Sequence, residues 1–147
     1  MCTLRHAATL VLCSAIVSVG CGGGRDTPAS PSPAGAPFSQ TDLRVGTGAE
    51  AAAGRTVTMN YTGWLYAAAQ PEQKGQQFDT SIGRGPFSFT LGAGRVIQGW
   101  ERGVPGMRVG GLRRLVIPPD MAYGSQGAPG IPPNATLVFD VELLTVQ

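Results

Sequence analysis

Apolar and polar residues alternate with a period of two along several stretches of the chain. In RTVTMNYTGWL, residues 55–65, Val57, Met59 and Tyr61 fall on one face while Thr58, Asn60 and Thr62 fall on the other. This is the pattern of a half-buried strand, because successive strand side chains point to opposite sides of the sheet. PFSFTL (86–91) repeats it with Phe87, Phe89 and Leu91, and TLVFDVELL (136–144) with Leu137, Phe139, Val141 and Leu143. RRLVI (113–117) offers Leu115 and Ile117 inward, and in TDLRVG (41–46) Leu43 and Val45 alternate with charge as a shorter strand. VIQGWERGVPG (96–106) departs from the period: Ile97, Trp100 and Val104 recur three and four apart, one face of a short helix that Pro105 and Gly106 would stop. An α+β domain follows, with an antiparallel β-sheet of about five strands packed over one short α-helix.

The patterned region begins near residue 39, and what precedes it is of another kind. Ala7 to Gly20 is an apolar run behind Arg5 and His6, the length of a signal-peptide core and too short to cross a bilayer as a helix. Residues 1–20 are therefore read as an export signal. The run ends in SVGC, which resembles the bacterial lipoprotein processing box; the resemblance implies cleavage before Cys21, lipidation of its thiol and acylation of its amine. Ser18 stands where that pattern usually has an aliphatic residue, and a simple secretory signal cut near Gly20 is the alternative. Residues 21–38, mostly Gly, Pro, Ser and Ala, cannot bury enough apolar surface to offset their ordering entropy and read as a flexible tether. The domain is then residues 39–147.

Composition narrows the chemistry. Gly and Pro, 22 and 12 of 147 residues, suit a fold of many turns, and a net charge of +2 with scattered arginines excludes a nucleic-acid footprint. The three cysteines, Cys2, Cys13 and Cys21, and the single histidine, His6, all fall in or beside the leader. The domain thus has no thiol or imidazole, which excludes Ser-His-Asp and Cys-His nucleophilic sites and the common zinc ligand sets. LGAGRVIQG lacks the spacing of a dinucleotide loop. Asp140 and Glu142 alternate out of the last strand and read as solvated carboxylates.

What remains is a stock of aromatics and Gly/Pro loops. YTGWL, QFDTS, PFSFTLGAGRVIQGWERGVPGMRVGGLRRLVIPPDMAYG and GIPPNATLVFDVELL occur in an order and spacing that resemble an FKBP-type peptidyl-prolyl cis-trans isomerase, from about Thr56 to Leu144. The resemblance implies an antiparallel sheet wrapped around a short helix, with an apolar pocket for an Xaa-Pro bond between them. It maps catalytic positions onto Asp79, Ile97, Trp100 and Tyr123, and substrate-binding positions onto Tyr61, Phe78, Phe87, Val96, Ile131 and Phe139. Trp100 would be the floor under the proline ring, while the Tyr123 hydroxyl and the Ile97 N–H would reach substrate carbonyls. By themselves Phe87, Phe139, Ile97 and Trp100 read equally as core, and Asp79 as a turn or capping carboxylate.

Three features depart from the family pattern. Ala128 stands where many members carry a histidine, and the loop GAPGIPPN is one residue short, with Ile131 alone where two isoleucines are usual. Arg84 is a candidate basic partner for Asp79. Fourteen residues separate Gly63 from Phe78, about twice what a tight hairpin needs, so 64–77 reads as an insertion that folds over the sheet edge, recruits a client, or is a plain surface bulge.

The activity implied is peptidyl-prolyl isomerisation in exported proteins; the alternative is a proline-binding or chaperone-like module without catalysis. Partners would be proline-containing unfolded or nascent exported proteins and macrolides of the tacrolimus and rapamycin type, with the membrane touched by a lipid anchor alone. No cofactor, metal or nucleic acid is implied. The leader places the protein in a bacterial cell envelope, on the outer membrane facing the periplasm, or else soluble in the periplasm or secreted.

Overall fold

The computed structural model describes residues 35–147; the leader, Cys21 and most of the tether lie outside them. Six strands form one antiparallel sheet: β1 (Ser39–Arg44), β2 (Thr56–Tyr66), β3 (Lys74–Thr80), β4 (Phe87–Thr90), β5 (Leu112–Ile117) and β6 (Leu137–Val146), with a single α-helix, α1 (Gln98–Gly103), among the described residues. The order across the sheet is β1-β5-β6-β2-β3, with β4 also on β2. β2 and β6 form the middle, paired from Val57 opposite Val146 to Leu65 opposite Leu137. The far edge of β2 is divided: β4 takes Thr56 to Met59, and β3 takes Thr62 to Tyr66. Between them the chain leaves the sheet through residues 81–86, where Gly83 and Gly85 adopt φ of 83° and 106°, conformations that residues with a Cβ rarely enter.

β3 is the strand beyond the expected five. Its first four residues lie in the segment read as an insertion, which is mainly a longer hairpin: β2 runs on to Tyr66, a turn through Pro71–Gln73 reverses the chain, and β3 returns. Its sequence, KGQQFDT, has one large apolar residue and so no legible period.

The core lies on one face of the sheet. Val57 and Met59 of β2, Leu115 and Ile117 of β5, and Leu137, Val141 and Leu143 of β6 are fully buried there. α1 covers them through Gly99, Trp100 and Gly103. Gly99 and Gly103 are four residues apart, one turn up the same face, and they let the helix backbone rest on β5. A Cβ at Gly99 would stand 2.4–2.7 Å from the outer carbons of Ile117, and one at Gly103 would stand 2.6 Å from Leu115. Both neighbours are wholly buried and have nowhere to retreat.

Arg113 fixes the other end of α1. Its side chain is 8 % exposed, on the same face as Leu115, and donates to the carbonyls of Gly103 and Pro105 at 2.9 and 3.2 Å. The rest of the guanidinium pairs with Asp42 of β1 at 2.5 and 3.0 Å. A cation at a helix C-terminus meets the negative end of the dipole, so one residue joins helix end, β5 and edge strand. This hydrogen bonding, against a smaller opposing effect of burial, holds the Asp42 carboxyl below its usual range.

One expectation is corrected here. Asp140 is not solvated: its side chain is 15 % exposed and takes Arg114 at 2.7 and 3.0 Å and Lys74 at 2.7 Å, because β5 and β3 bring both cations across the sheet face. Glu142 does stand near solvent and pairs with Arg44 at 2.5 Å. In β1 the predicted strand forms as an edge strand exposed throughout, with Leu43 44 % exposed and Val45, just past its end, 75 % exposed. Phe38, assigned to the tether, packs on the core beneath the Arg102 guanidinium, 5.1 Å from its ring.

Replacing glycine by alanine inside a helix ordinarily stabilises by roughly 0.5–1 kcal/mol. At Gly99 overpacking, about 1–3 kcal/mol, outweighs that gain. Gly99→Ala is therefore expected to lower the free energy of unfolding in urea by about 1–2 kcal/mol; an increase would show that the contact with Ile117 relaxes freely.

Candidate functional site

The open end of the sheet–helix layer holds a cavity of about 620 Å³. β2 supplies Tyr61, β3 supplies Phe78 and Asp79, β4 supplies Phe87, and β6 supplies Phe139. The helix supplies Trp100, and Val96 and Ile97 come from just before it. Tyr123 arrives on the loop after β5. Nine of the ten expected positions thus line one space. Ile131 does not: it is buried in the core at 7 % exposure. Ala128 and Ile131 exchange backbone hydrogen bonds of 3.0 and 2.8 Å around Pro129 and Gly130, the latter at φ 79°. Pro then Gly at the centre of a turn favours this tight geometry, and the shortened loop turns Ile131 inward.

Sequence reading missed Gly94, Arg95, Gln98, Asp120, Met121 and Ala122, which also line the cavity. All lie beside expected residues inside the quoted motifs, and adjacency was the one signal available for them. Glu101 holds the Gly94–Val96 wall in place by accepting the N–H groups of Gly92 and Gly94 at 2.5 and 3.0 Å.

Trp100 forms the floor. Its ring centroid is 5.0 Å from Tyr61, 5.3 Å from Phe139, 5.8 Å from Phe87 and 5.9 Å from Phe89. Three of these contacts are edge-to-face, the arrangement that the ring quadrupoles favour. The indole N–H is buried and meets no acceptor among the described residues. Ile97 stands at the helix N-cap in extended conformation, φ −60° and ψ 147°, and its carbonyl accepts from Trp100 and Glu101. Among the described residues its own N–H has no acceptor, so it is available at the cavity wall.

One side of the cavity is charged. The Tyr61 hydroxyl donates to Asp79 at 2.5 Å, the Thr80 N–H donates to the same carboxylate at 2.9 Å, and Arg84 forms an ion pair with it. Arg84 is itself held by the Thr80 carbonyl, 2.8 Å from Nε. Burial works to raise the Asp79 pKa, but the hydrogen bonds from Tyr61, Arg84 and Thr80 outweigh it and leave the carboxyl below its ordinary value. Tyr61 moves the other way, pushed up to about 12 by burial first and then by the hydrogen bond and charge of Asp79. Tyr123 is raised by burial and by the Asp79 charge, and is 40 % exposed at the rim.

A raised tyrosine pKa contributes stability that is complete below the unfolded value, about 10, and is lost as pH climbs through the folded value. Absorbance titration should show one tyrosine ionising only near pH 12, with stability falling between pH 10 and 12. Asp79→Ala should move that titration part of the way back, since burial remains; an unchanged curve would separate Tyr61 from Asp79.

With this geometry in view, residues 48–144 match the family model for the FKBP-type peptidyl-prolyl cis-trans isomerase. The chain is 50% identical over 107 residues to an FK506-binding protein of Neisseria meningitidis, covering 71% of this chain and 92% of that one. It is 53% identical over 106 residues to FK506-binding protein 4 of Neurospora crassa, covering 72% of this chain but 21% of that much longer one. Among solved structures, FkpA from Escherichia coli superposes with a TM-score of 0.64 at 44% identity, over 75% of this chain and 48% of FkpA. AtFKBP13 gives the same TM-score at 36% identity, over 75% of this chain and 93% of its own. An apolar cavity floored by tryptophan, together with the family match over residues 48–144 and 50% identity to a relative covered over 92% of its length, places the chain in the family of FKBP-type peptidyl-prolyl cis-trans isomerases.

Proposed function

We propose that the isomerase activity of this family is carried here by the Trp100 cavity, acting on Xaa-Pro bonds of exported proteins. The observation that supports it most is the convergence of nine aromatic, aliphatic and polar positions from β2, β3, β4, α1, β6 and two loops on one space of about 620 Å³. The bond to be turned is slow because amide resonance sets a barrier of roughly 18–20 kcal/mol. No covalent bond is made or broken and no proton need move, so a site without His or Cys is adequate. A cavity that holds the twisted amide better than either planar form lowers the barrier by differential binding alone. Its apolar walls favour that outcome, since the planar amide's charge-separated resonance form is the one water stabilises. The proline ring rests on Trp100, and the Ile97 N–H and Tyr123 hydroxyl take substrate carbonyls. Asp79, fixed in its ionised form, orients the Tyr61 side of the cavity. Macrolides of the FK506 type fit the same apolar box as competitors.

The leader supports an envelope location. In this reading Cys21 carries the lipid, the protein faces the periplasm from the outer membrane, and the residues before Phe38 hold the domain off the surface.

Isomerisation of short Xaa-Pro peptides tests the cavity. Phe87→Ala should lower kcat/KM by about tenfold or more, Asp79→Val by about tenfold, and Tyr123→Phe by about fivefold, the last being the worth of one hydrogen bond. A macrolide should abolish the wild-type rate. A folded protein without activity would leave a proline-binding module in place of an enzyme. For the anchor, growth with labelled palmitate should mark the wild-type protein and leave Cys21→Ser unlabelled; an unlabelled wild type would make it a plain secreted protein.

A further inference from the structure

β4 leaves an edge unpaired beside the cavity. Among the described residues it pairs with β2 alone, with Met59 opposite Phe87, Thr58 opposite Ser88 and Val57 opposite Phe89. The next pair in this register is Arg55 with Leu91, and the Leu91 N–H donates to the Arg55 carbonyl at 2.9 Å. Hydrogen-bonded and non-bonded pairs alternate along an antiparallel ladder. Phe87 and Phe89 therefore direct their main chain toward β2, while Ser88 and Thr90 direct theirs outward. The side chains agree: Thr58–Ser88 and Thr56–Thr90 approach hydroxyl to hydroxyl at 2.7 and 3.2 Å, as the closer, non-bonded pairs allow. The Thr90 carbonyl is occupied by the Ala93 N–H at 3.4 Å. The N–H and C=O of Ser88, which is exposed, remain open.

Alongside β4 runs an open groove of about 840 Å³ lined by every residue of the strand, by Ala93 and Arg95 after it, and by Thr56 of β2. Phe87 and Arg95 line the Trp100 cavity too, so groove and cavity meet along a shared wall. The stretch Phe87–Thr90 carries no charge and no proline, the residues that usually keep an edge from pairing. The edge therefore adjoins the cavity at Phe87, within reach of an extended peptide whose proline lies over Trp100.

We infer that the client segment flanking the proline docks on β4 as an added strand, its main chain bonded to Ser88, by the strand-addition mode of peptide recognition. The inference rests on the isomerase reading above and extends it: the ligand is an extended, unfolded chain, and the sequence beside the proline is held through its backbone with little regard to side chain. Proline turnover should then depend on length and on the parity of flanking amides.

The test follows cis–trans exchange by NMR in the wild-type protein, with a four-residue Xaa-Pro peptide and a ten-residue peptide extended on both sides. The long peptide is also made in two versions, each N-methylated at alternate flanking amides, offset from one another by a residue. The long peptide is expected to show kcat/KM about tenfold higher, the size of one to two net hydrogen bonds. One methylated version should lose the gain and the other keep it. Ser88→Pro, which removes the outward N–H and leaves the β2 ladder intact, should lose the gain and retain the four-residue rate. No gain with length, or equal behaviour of the two methylated versions, overturns the inference, and if Ser88→Pro does not fold the peptide pair decides alone. Inactivity on every peptide would count against the isomerase reading itself, a separate result.

Discussion

The close seat of α1 on β5 is the constraint from which the rest follows. Trp100 is one residue from Gly99 and three from Gly103, so its height above the sheet is set by how nearly the helix backbone touches Ile117 and Leu115. Were a Cβ inserted between helix and strand, the indole would rise into the space it now floors. Aromatic neighbours then fix its orientation. An unpartnered buried N–H costs about 1–3 kcal/mol, and four ring contacts at about 0.5–1.5 kcal/mol each are sufficient to offset it. The shape of the floor prevails over the hydrogen-bonding capacity of its one polar atom.

Polar contacts extend that order outward from the core. Arg113 reaches from β5 to the carbonyls at the end of α1 and to Asp42 on β1, and so carries the position of the helix to the sheet edge. On the opposite face Asp140, Arg114, Lys74 and Glu72 form a connected set of ion pairs spanning β6, β5 and the start of β3. That set secures the long hairpin whose far end carries Phe78 and Asp79 into the cavity.

The sequence displayed those parts of the molecule whose side chains sort by burial. β2, β5 and β6 alternate cleanly, and Ile97, Trp100 and Val104 gave the helix within a residue or two of its ends. β3 was illegible because it is held by its partner strand and by ion pairs more than by apolar burial, leaving Phe78 as its only large apolar residue. Asp140 misled for a related reason: alternation says which face a residue takes, not which cations neighbouring strands bring across it. The cavity residues were named through family motifs, since Phe87 and Phe139 look like core by period alone. Ile131 lies apart from the other nine because it follows a Pro-Gly turn in a loop one residue short and is buried in the core.

The electrostatics of the cavity suit a reaction in which geometry alone changes. Asp79 is held ionised by Tyr61, Arg84 and Thr80, and Tyr61 is held neutral up to about pH 12, so neither changes state near neutrality. A site built for proton transfer would instead place a group close to the working pH. Here the short hydrogen bonds are made within the wall, between residues, and the floor of the cavity is built of rings. In the proposed reading the donors left for substrate are the Ile97 N–H, fixed at the helix start, and the Tyr123 hydroxyl at the rim. Fixed dipoles of this kind need no reorganisation as the bond rotates, and the apolar space around them keeps water from restoring the planar amide's preference.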